Sequence, residues 1–214
     1  MYVISADQKS SRSTGDLVDE WRDALNHEFG ATLTLPADRN AGDEIQVLTQ
    51  DPDTVLEIAL RLVRSGRWSV GVGIGAVRTP LPRETREASG PAFNAARDAV
   101  TEAKKRPTRF AVRTEVTATD KPWPPATDVQ SVIDMLLEIR RKRSTQGWEL
   151  YDILAQVPTQ AEAASILNIT PAAVSDRASA AGIRIERDAR PSLVRLLSTL
   201  ERAVMTTATD GSGR

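Results

Sequence analysis

The chain has 214 residues, enough to bury one large core or two modest ones, and two modest domains is the expectation. Its 28 Lys and Arg stand against 29 Asp and Glu, so no global charge draws it to nucleic acid or to an anionic membrane, and any such contact must be local. The absence of cysteine excludes disulfides, thiolate zinc sites and thiol catalysis and fits a reducing compartment; the single histidine, His27, lies in a polar helical stretch and reads as solvated. The longest apolar runs fall far short of the roughly 20 residues of a membrane span, and the N-terminus lacks the basic start and apolar core of a signal peptide. A soluble cytoplasmic protein with no membrane partner is expected.

In chain order, "MYVISA" reads as a short apolar strand. "TGDLVDEWRDALNHEFG" places Leu17, Val18, Trp21 and Leu25 at helical spacing, with Ser13 or Thr14 as N-cap and Gly30 as stop. "ATLTLPAD" and "EIQVLTQ" alternate polar and apolar residues around an Asn- and Gly-containing tip, the pattern of a hairpin. "DPDTVLEIALRLVRSG" is an amphipathic helix capped by Asp51 or Asp53 and ended by Gly66. "WSVGVGIGAV" is a strand with Val70, Val72, Ile74 and Ala76 on one face and Gly71, Gly73 and Gly75 on the other, a face that lets a backbone or a ligand come close. "GPAFNAARDAVTEAKK" is a further helix and "RFAVRTEV" a final strand. The order β-α-β-β-α-β with an added helix and strand is the split βαβ arrangement of ferredoxin-like folds.

In "TDKPWPPATD" three prolines within four positions forbid a continuous helix and predict an extended connector. The expected division is a first domain over 1–119, a linker over 120–127, an all-α domain over 128–206 and a disordered tail over 207–214. The all-α part begins with "VQSVIDMLLEIRRKR", apolar at Val129, Val132, Ile133, Leu136, Leu137 and Ile139 and basic at its end. "GWELYDILAQV" follows, then two short helices around "NIT", then "PSLVRLLSTLERAV".

The pair around "NIT" has the residue types of a helix-turn-helix. Ala164 is small where the helices must nearly touch, Asn168 tolerates positive φ at the turn, Ile169 and Val174 face a shared core, and Thr170 caps a helix opened by Pro171. The second helix is then the one expected in a DNA major groove, presenting Thr170, Pro171, Ala172, Ser175, Asp176 and Arg177, with Ser175 and Arg177 as donors. Arg140, Arg141, Lys142 and Arg143 are candidates for phosphate contacts. The plainer alternative is a helical hairpin used only for packing or dimerisation, with a solvated basic helix end.

In the first domain, Asp7 ends the first strand while Asp43 and Glu44 sit at the tip of the hairpin, and in a split βαβ sheet the two central strands are neighbours. Converging carboxylates repel unless a divalent cation or a proton joins them, and Mg²⁺ with a substrate phosphate is the usual solution. "QKSSRST" supplies Lys9, Ser10, Ser11 and Arg12, a natural phosphate cradle. Taken alone, Asp43 and Glu44 read equally as solvated turn residues.

Asp7 at a strand end, "GDE" at a hairpin, "GVGIGAV" in a later strand and "GPAFNAAR" opening a helix resemble the catalytic core of class III nucleotide cyclases and, more distantly, of GGDEF-type diguanylate cyclases. Together with the linker and "TQAEAASILNITPAAVSDR", the pattern is similar to SatD-like proteins, a bacterial group pairing such a domain with a helix-turn-helix. The resemblance implies an α+β chain: a ferredoxin-like, cyclase-type palm domain followed by an all-α helix-turn-helix domain. By position it makes Asp7 and Asp43 the metal aspartates for two Mg²⁺ ions, Glu44 the second acid of GGDEF, Asn94 and Arg97 the pair that orients ribose and stabilises the transition state, and Arg39 the base reader. Two departures stand out. Asn94 and Arg97 are three residues apart where cyclases use four, and Arg replaces the usual Lys at 39. Since rate depends on about an ångström of alignment, binding outlasts catalysis. The expected function is a DNA-binding regulator, homodimeric, whose cyclase-like domain senses a nucleotide or phosphorylated ligand or mediates pairing; the alternative is an active Mg²⁺-dependent nucleotidyl cyclase or related phosphoryl-transfer enzyme.

Overall fold

The structure is a computed structural model that describes residues 1–9, 15–40, 42–114 and 123–211. Among these, the chain is α+β, with a five-stranded mixed sheet and eight α-helices. The first part runs β1 (Tyr2–Gln8), α1 (Val18–Phe29), β2 (Leu33–Asn40), β3 (Glu44–Thr49), α2 (Pro52–Arg64), β4 (Trp68–Ile74), a 3₁₀ turn (Thr85–Glu87), α3 (Pro91–Ala103) and β5 (Phe110–Thr114). The second runs α4 (Ala126–Arg141), α5 (Thr145–Leu154), α6 (Gln160–Leu167), α7 (Pro171–Ala180) and α8 (Ile183–Gly211).

The sheet order is β2-β3-β1-β4-β5, antiparallel throughout except for the parallel β4–β5 pair. β1 is central, and Tyr2 through Ala6 are buried because both faces of the sheet are covered. Its alternation sends Val3 to one face, where it packs with Leu48, Ala92, Phe93 and Ala96. The edge strand β5 is closed by a side chain: Gln130 of α4 accepts from the Val112 amide (2.6 Å) and donates to the Phe110 carbonyl (3.4 Å), in place of a further strand.

The glycine face of β4 is met by a helix. A Cβ on Gly73 would overlap the backbone of Ala92 and Ala96, and one on Gly71 the backbone of Ala99 and Val100. Alanines at 92, 95, 96, 99 and 103, all buried, give α3 the smooth side this approach requires.

Helix ends follow side-chain chemistry where it is present. Asp51 caps α2, accepting from the Asp53 and Thr54 amides, and Gly66 follows that helix at φ +69°. The expected caps of α1, Ser13 and Thr14, lie outside the described residues. Gly30 ends α1 in a right-handed conformation (φ −51°), so its special freedom is not used there.

The chain divides into two compact units, Met1–Asp134 with Leu193–Arg214, and Met135–Ser192. Division at 134/135 falls inside α4 rather than in the Pro-rich connector, of which 115–122 lie outside the described residues. The last helix also departs from expectation. It begins at Ile183 with Pro191 inside it and continues to Gly211, into the stretch expected as tail, and Leu193, Leu197, Leu200 and Val204 are its buried stripe in the first unit. The N-terminal ammonium of Met1 pairs with Glu201 of this helix at 2.7 Å.

The second unit closes over Leu150, Ala163, Ala164, Val174 and Ala178, with Ile153, Leu154, Val157, Leu167, Ile169 and Ile183 around them. Along α4, Val129, Ile133, Leu136 and Leu137 are buried, while Val132 turns outward beside Met135. Among the described residues no helix is long and apolar enough to cross a membrane.

The contact between α3 and β4 is testable by a single methyl group. Gly73→Ala is expected to lose about 2–4 kcal/mol of stability in urea denaturation, because rigid helix backbone occupies the space. Parental stability in that variant would contradict the packing.

Candidate functional site

In the first unit the β1–β3 register sets Asp7 directly across from Glu44, so both side chains leave the same face of the sheet. The hairpin tip is tied to the strand end by the Gln8 amide, which donates to the Asp43 carbonyl at 3.0 Å. Asp7, Asp43 and Glu44 therefore occupy one corner. Glu44 Oε1 accepts from the Gln46 amide side chain at 3.1 Å.

A residue that sequence patterning did not single out completes the corner. Lys104, just past the end of α3, places Nζ 2.6 Å from Asp7 Oδ2. Burial is the largest influence on Asp7 and raises its pKa; Lys104 opposes this, while the Asp43 and Glu44 carboxylates add to it. Among the described residues no group of three or more His, Cys, Asp or Glu is arranged to hold a metal ion. With Asp7 already engaged by an ammonium, the donor set as folded fits a cationic side chain better than Mg²⁺.

Of the other residues expected at this site, Asn94 and Arg97 are not gathered there. Asn94 and Arg97 are exposed on α3. This helix runs antiparallel to β4, with Ala92 beside Gly73 and Val100 beside Gly71, so only its C-terminal end reaches the level of Asp7. At 1.5 Å per residue, Asn94 and Arg97 lie about 15 and about 10 Å along the axis from Lys104. Arg39 pairs with Ile45, one step from Glu44, and so leaves the opposite face, where it meets Asp16 at 2.7 Å and Asp19 at 3.4 Å. Lys9 donates to the Gly66 carbonyl at 3.1 Å. Ser10, Ser11 and Arg12 lie outside the described residues.

In the second unit the expected turn is built as its residues dictate. Thr159 caps α6 by accepting from the Glu162 amide, Asn168 takes the left-handed conformation (φ 52°), and the Ile169 amide donates to the Ala164 carbonyl. Thr170 caps α7 by accepting from the Ala173 amide at 3.1 Å, with Pro171 in the first turn. Thr170, Pro171, Ala172 and Asp176 are exposed. Ser175 and Arg177 are half-buried and already have partners: Ser175 accepts from Arg184 at 2.9 Å, and Arg177 lies 3.4 Å from Glu149.

The basic end of α4 splits in two. Arg140, in the last turn of α4, and Arg143, just past its end, are buried, both bonded to Glu186 (Arg143 Nη2 at 2.6 Å) and both set over Trp148 and Tyr151, with Arg143 4.4 Å from the Trp148 ring. Neither reaches a phosphate as folded. Arg141 and Lys142 face outward, Arg141 paired with Glu138 three residues before it. Of the inward cluster, only Trp148 and Tyr151, one turn apart beside a basic helix end, left a signal in the sequence; Glu186 left none.

Two variants probe these sites. Glu186→Ala leaves two buried guanidiniums without their carboxylate and is expected to cost about 3–5 kcal/mol, read as loss of helical signal in the second unit at lower denaturant. For Asp7, the raised pKa means that the folded chain holds the proton more tightly than the unfolded chain, so ionisation costs stability as pH rises through the folded value. Asp7→Asn removes that slope. Measured by denaturation upward from about pH 4, the difference in stability should move in favour of the variant as pH rises; movement the other way would mean that Lys104 outweighs burial. Comparison with protein-family models, with curated proteins and with solved structures gives no match for this chain, so the geometry itself carries the functional reading.

Proposed function

We propose that the protein is a DNA-binding transcriptional regulator, with α7 as the helix that enters the major groove. The observation that carries this is the α6–α7 pair: capped at both starts, joined through a left-handed Asn168, packed on its own apolar core, and exposing the first turn of its second helix. Thr170, Pro171 and Ala172 shape the approach, and Ser175 and Arg177 supply donors. The Arg177–Glu149 pair, half-buried at the arginine, exposed at the glutamate and 3.4 Å long, is worth about 1 kcal/mol, so exchanging it for a base edge or a phosphate costs little. Arg141 and Lys142 take the phosphate role that Arg140 and Arg143, being buried, do not.

The first unit is then a ferredoxin-like palm domain of nucleotide-cyclase type, with catalysis lost, that senses a nucleotide or another phosphorylated ligand or pairs two copies of the chain in the cytoplasm. The strand order β2-β3-β1-β4 and the Asp7–Glu44 register support it. A homodimer suits a palindromic operator. Binding rather than turnover is favoured by the place of Asn94 and Arg97, far along α3 from the acids, and by Lys104 on Asp7. The competing reading, an active Mg²⁺-dependent nucleotidyl cyclase, requires Lys104 to leave and the carboxylates to take up metal.

Fluorescence anisotropy on DNA fragments selected from a random pool tests the DNA reading. Arg177→Ala should weaken the selected site by about 1–3 kcal/mol and relax its sequence preference, whereas Lys142→Ala should weaken all sequences alike and lower the salt slope by about one. Affinity indifferent to salt and to both substitutions would remove the assignment. Incubation with Mg²⁺ or Mn²⁺ and each nucleoside triphosphate separates the alternatives: a cyclic product that disappears in Asp43→Ala would establish the cyclase.

A further inference from the structure

The second unit contains a cavity of about 310 Å³, at the lower end of the range of small-molecule sites. Its wall is apolar where α5 and the following turn contribute Leu154, Val157 and Pro158 and where Ile183 closes from α8. Its other side is cationic: Arg184, Arg187 and Arg190 follow one another at three-residue intervals along the first turns of α8 and all line it. The carboxylate that also lines it, Glu186, is buried and already shared by Arg140 and Arg143, so it does not neutralise Arg184 or Arg187. Arg187 meets Asp188 only at 3.4 Å on an exposed surface, and Arg184 holds a neutral hydroxyl, that of Ser175.

From this pairing of an apolar wall with a row of guanidiniums we infer that the cavity is a binding site for a small organic carboxylate with an apolar body. The body fills the space beside Leu154, Val157 and Ile183, and the carboxylate takes the fork of Arg184, with Arg187 beside it. A carboxylate is a stronger partner for a guanidinium than a hydroxyl is, so Arg184 leaves Ser175 when the site fills. Ser175 lies on α7. Occupancy therefore changes what that helix presents, a consequence that rests on the DNA-binding reading, whereas binding itself does not.

Isothermal titration of the full chain without DNA tests the site, using octanoate, octan-1-ol and inorganic phosphate as probes. Saturable binding of octanoate to one site per chain is expected, weakened at least about tenfold for octanol, which lacks the charge, and for phosphate, which lacks the apolar body. Arg184→Gln, on the exposed start of α8, should lose about tenfold for octanoate with no change for octanol. Val157→Trp, which fills the cavity, should abolish binding while retaining the helical spectrum. Octanoate that fails to saturate, or octanol or phosphate binding as tightly as octanoate, overturns the inference. Anisotropy on selected DNA with and without octanoate then reads the coupling: a shift in affinity that Ser175→Ala removes supports it, and an unchanged affinity in a chain that binds both DNA and octanoate overturns the coupling alone.

Discussion

Everything about the first unit depends on how closely α3 lies against β4. Two glycines on the strand and a row of alanines on the helix bring backbone against backbone, with no room for a methyl group at Gly71 or Gly73. Close packing of this kind tolerates little sliding, because a shift along the helix would set a Cβ where only a glycine fits. The register of α3 over the sheet is thereby set, and with it the identity of the side chain that meets Asp7. That side chain is Lys104. The same register holds Asn94 and Arg97 toward the opposite end of the helix, away from the acidic corner that Lys104 meets.

The second unit turns on a different constraint, the placement of one carboxylate among two guanidiniums. Glu186 brings together the end of α4 and the start of α8 through Arg140 and Arg143, and Trp148 and Tyr151 of α5 stack beneath them. Buried charges of this kind contribute little net stability compared with an apolar core, but they tolerate few alternative arrangements, since each misplacement leaves an ion unpaired. The consequence for function is that two of four basic residues serve the fold. Arg141 and Lys142 at the end of α4 and Arg184 and Arg187 on α8 remain outward.

Much of the fold was legible in the sequence because its signals are local. Period-2 and period-3.6 patterning marked the strands and most helices, and Asp51, Asn168 and Thr170 act at the helix ends where their chemistry places them. Two exceptions fall in the last helix. Pro191 reads as a helix start, yet sits inside α8. The polar end of the chain reads as a tail, yet the helix continues through it to Gly211.

The candidate sites were legible only in part, since each depends on partners far apart in the chain. Sequence alone determined the α+β class, the order of elements, the convergence of Asp7 with the hairpin acids, and the capped turn between α6 and α7, all of which follow from residue types within a few positions or from adjacency of strands. Tertiary structure alone decided that a helix, not a ligand, covers the glycine face; that Lys104, 97 residues away, answers Asp7; and that Glu186, more than 40 residues from Arg140 and Arg143, takes them out of reach of solvent. The physical reason is common to all three. Burial and charge pairing are properties of whichever surfaces meet, and no local pattern of residues specifies which surfaces those will be.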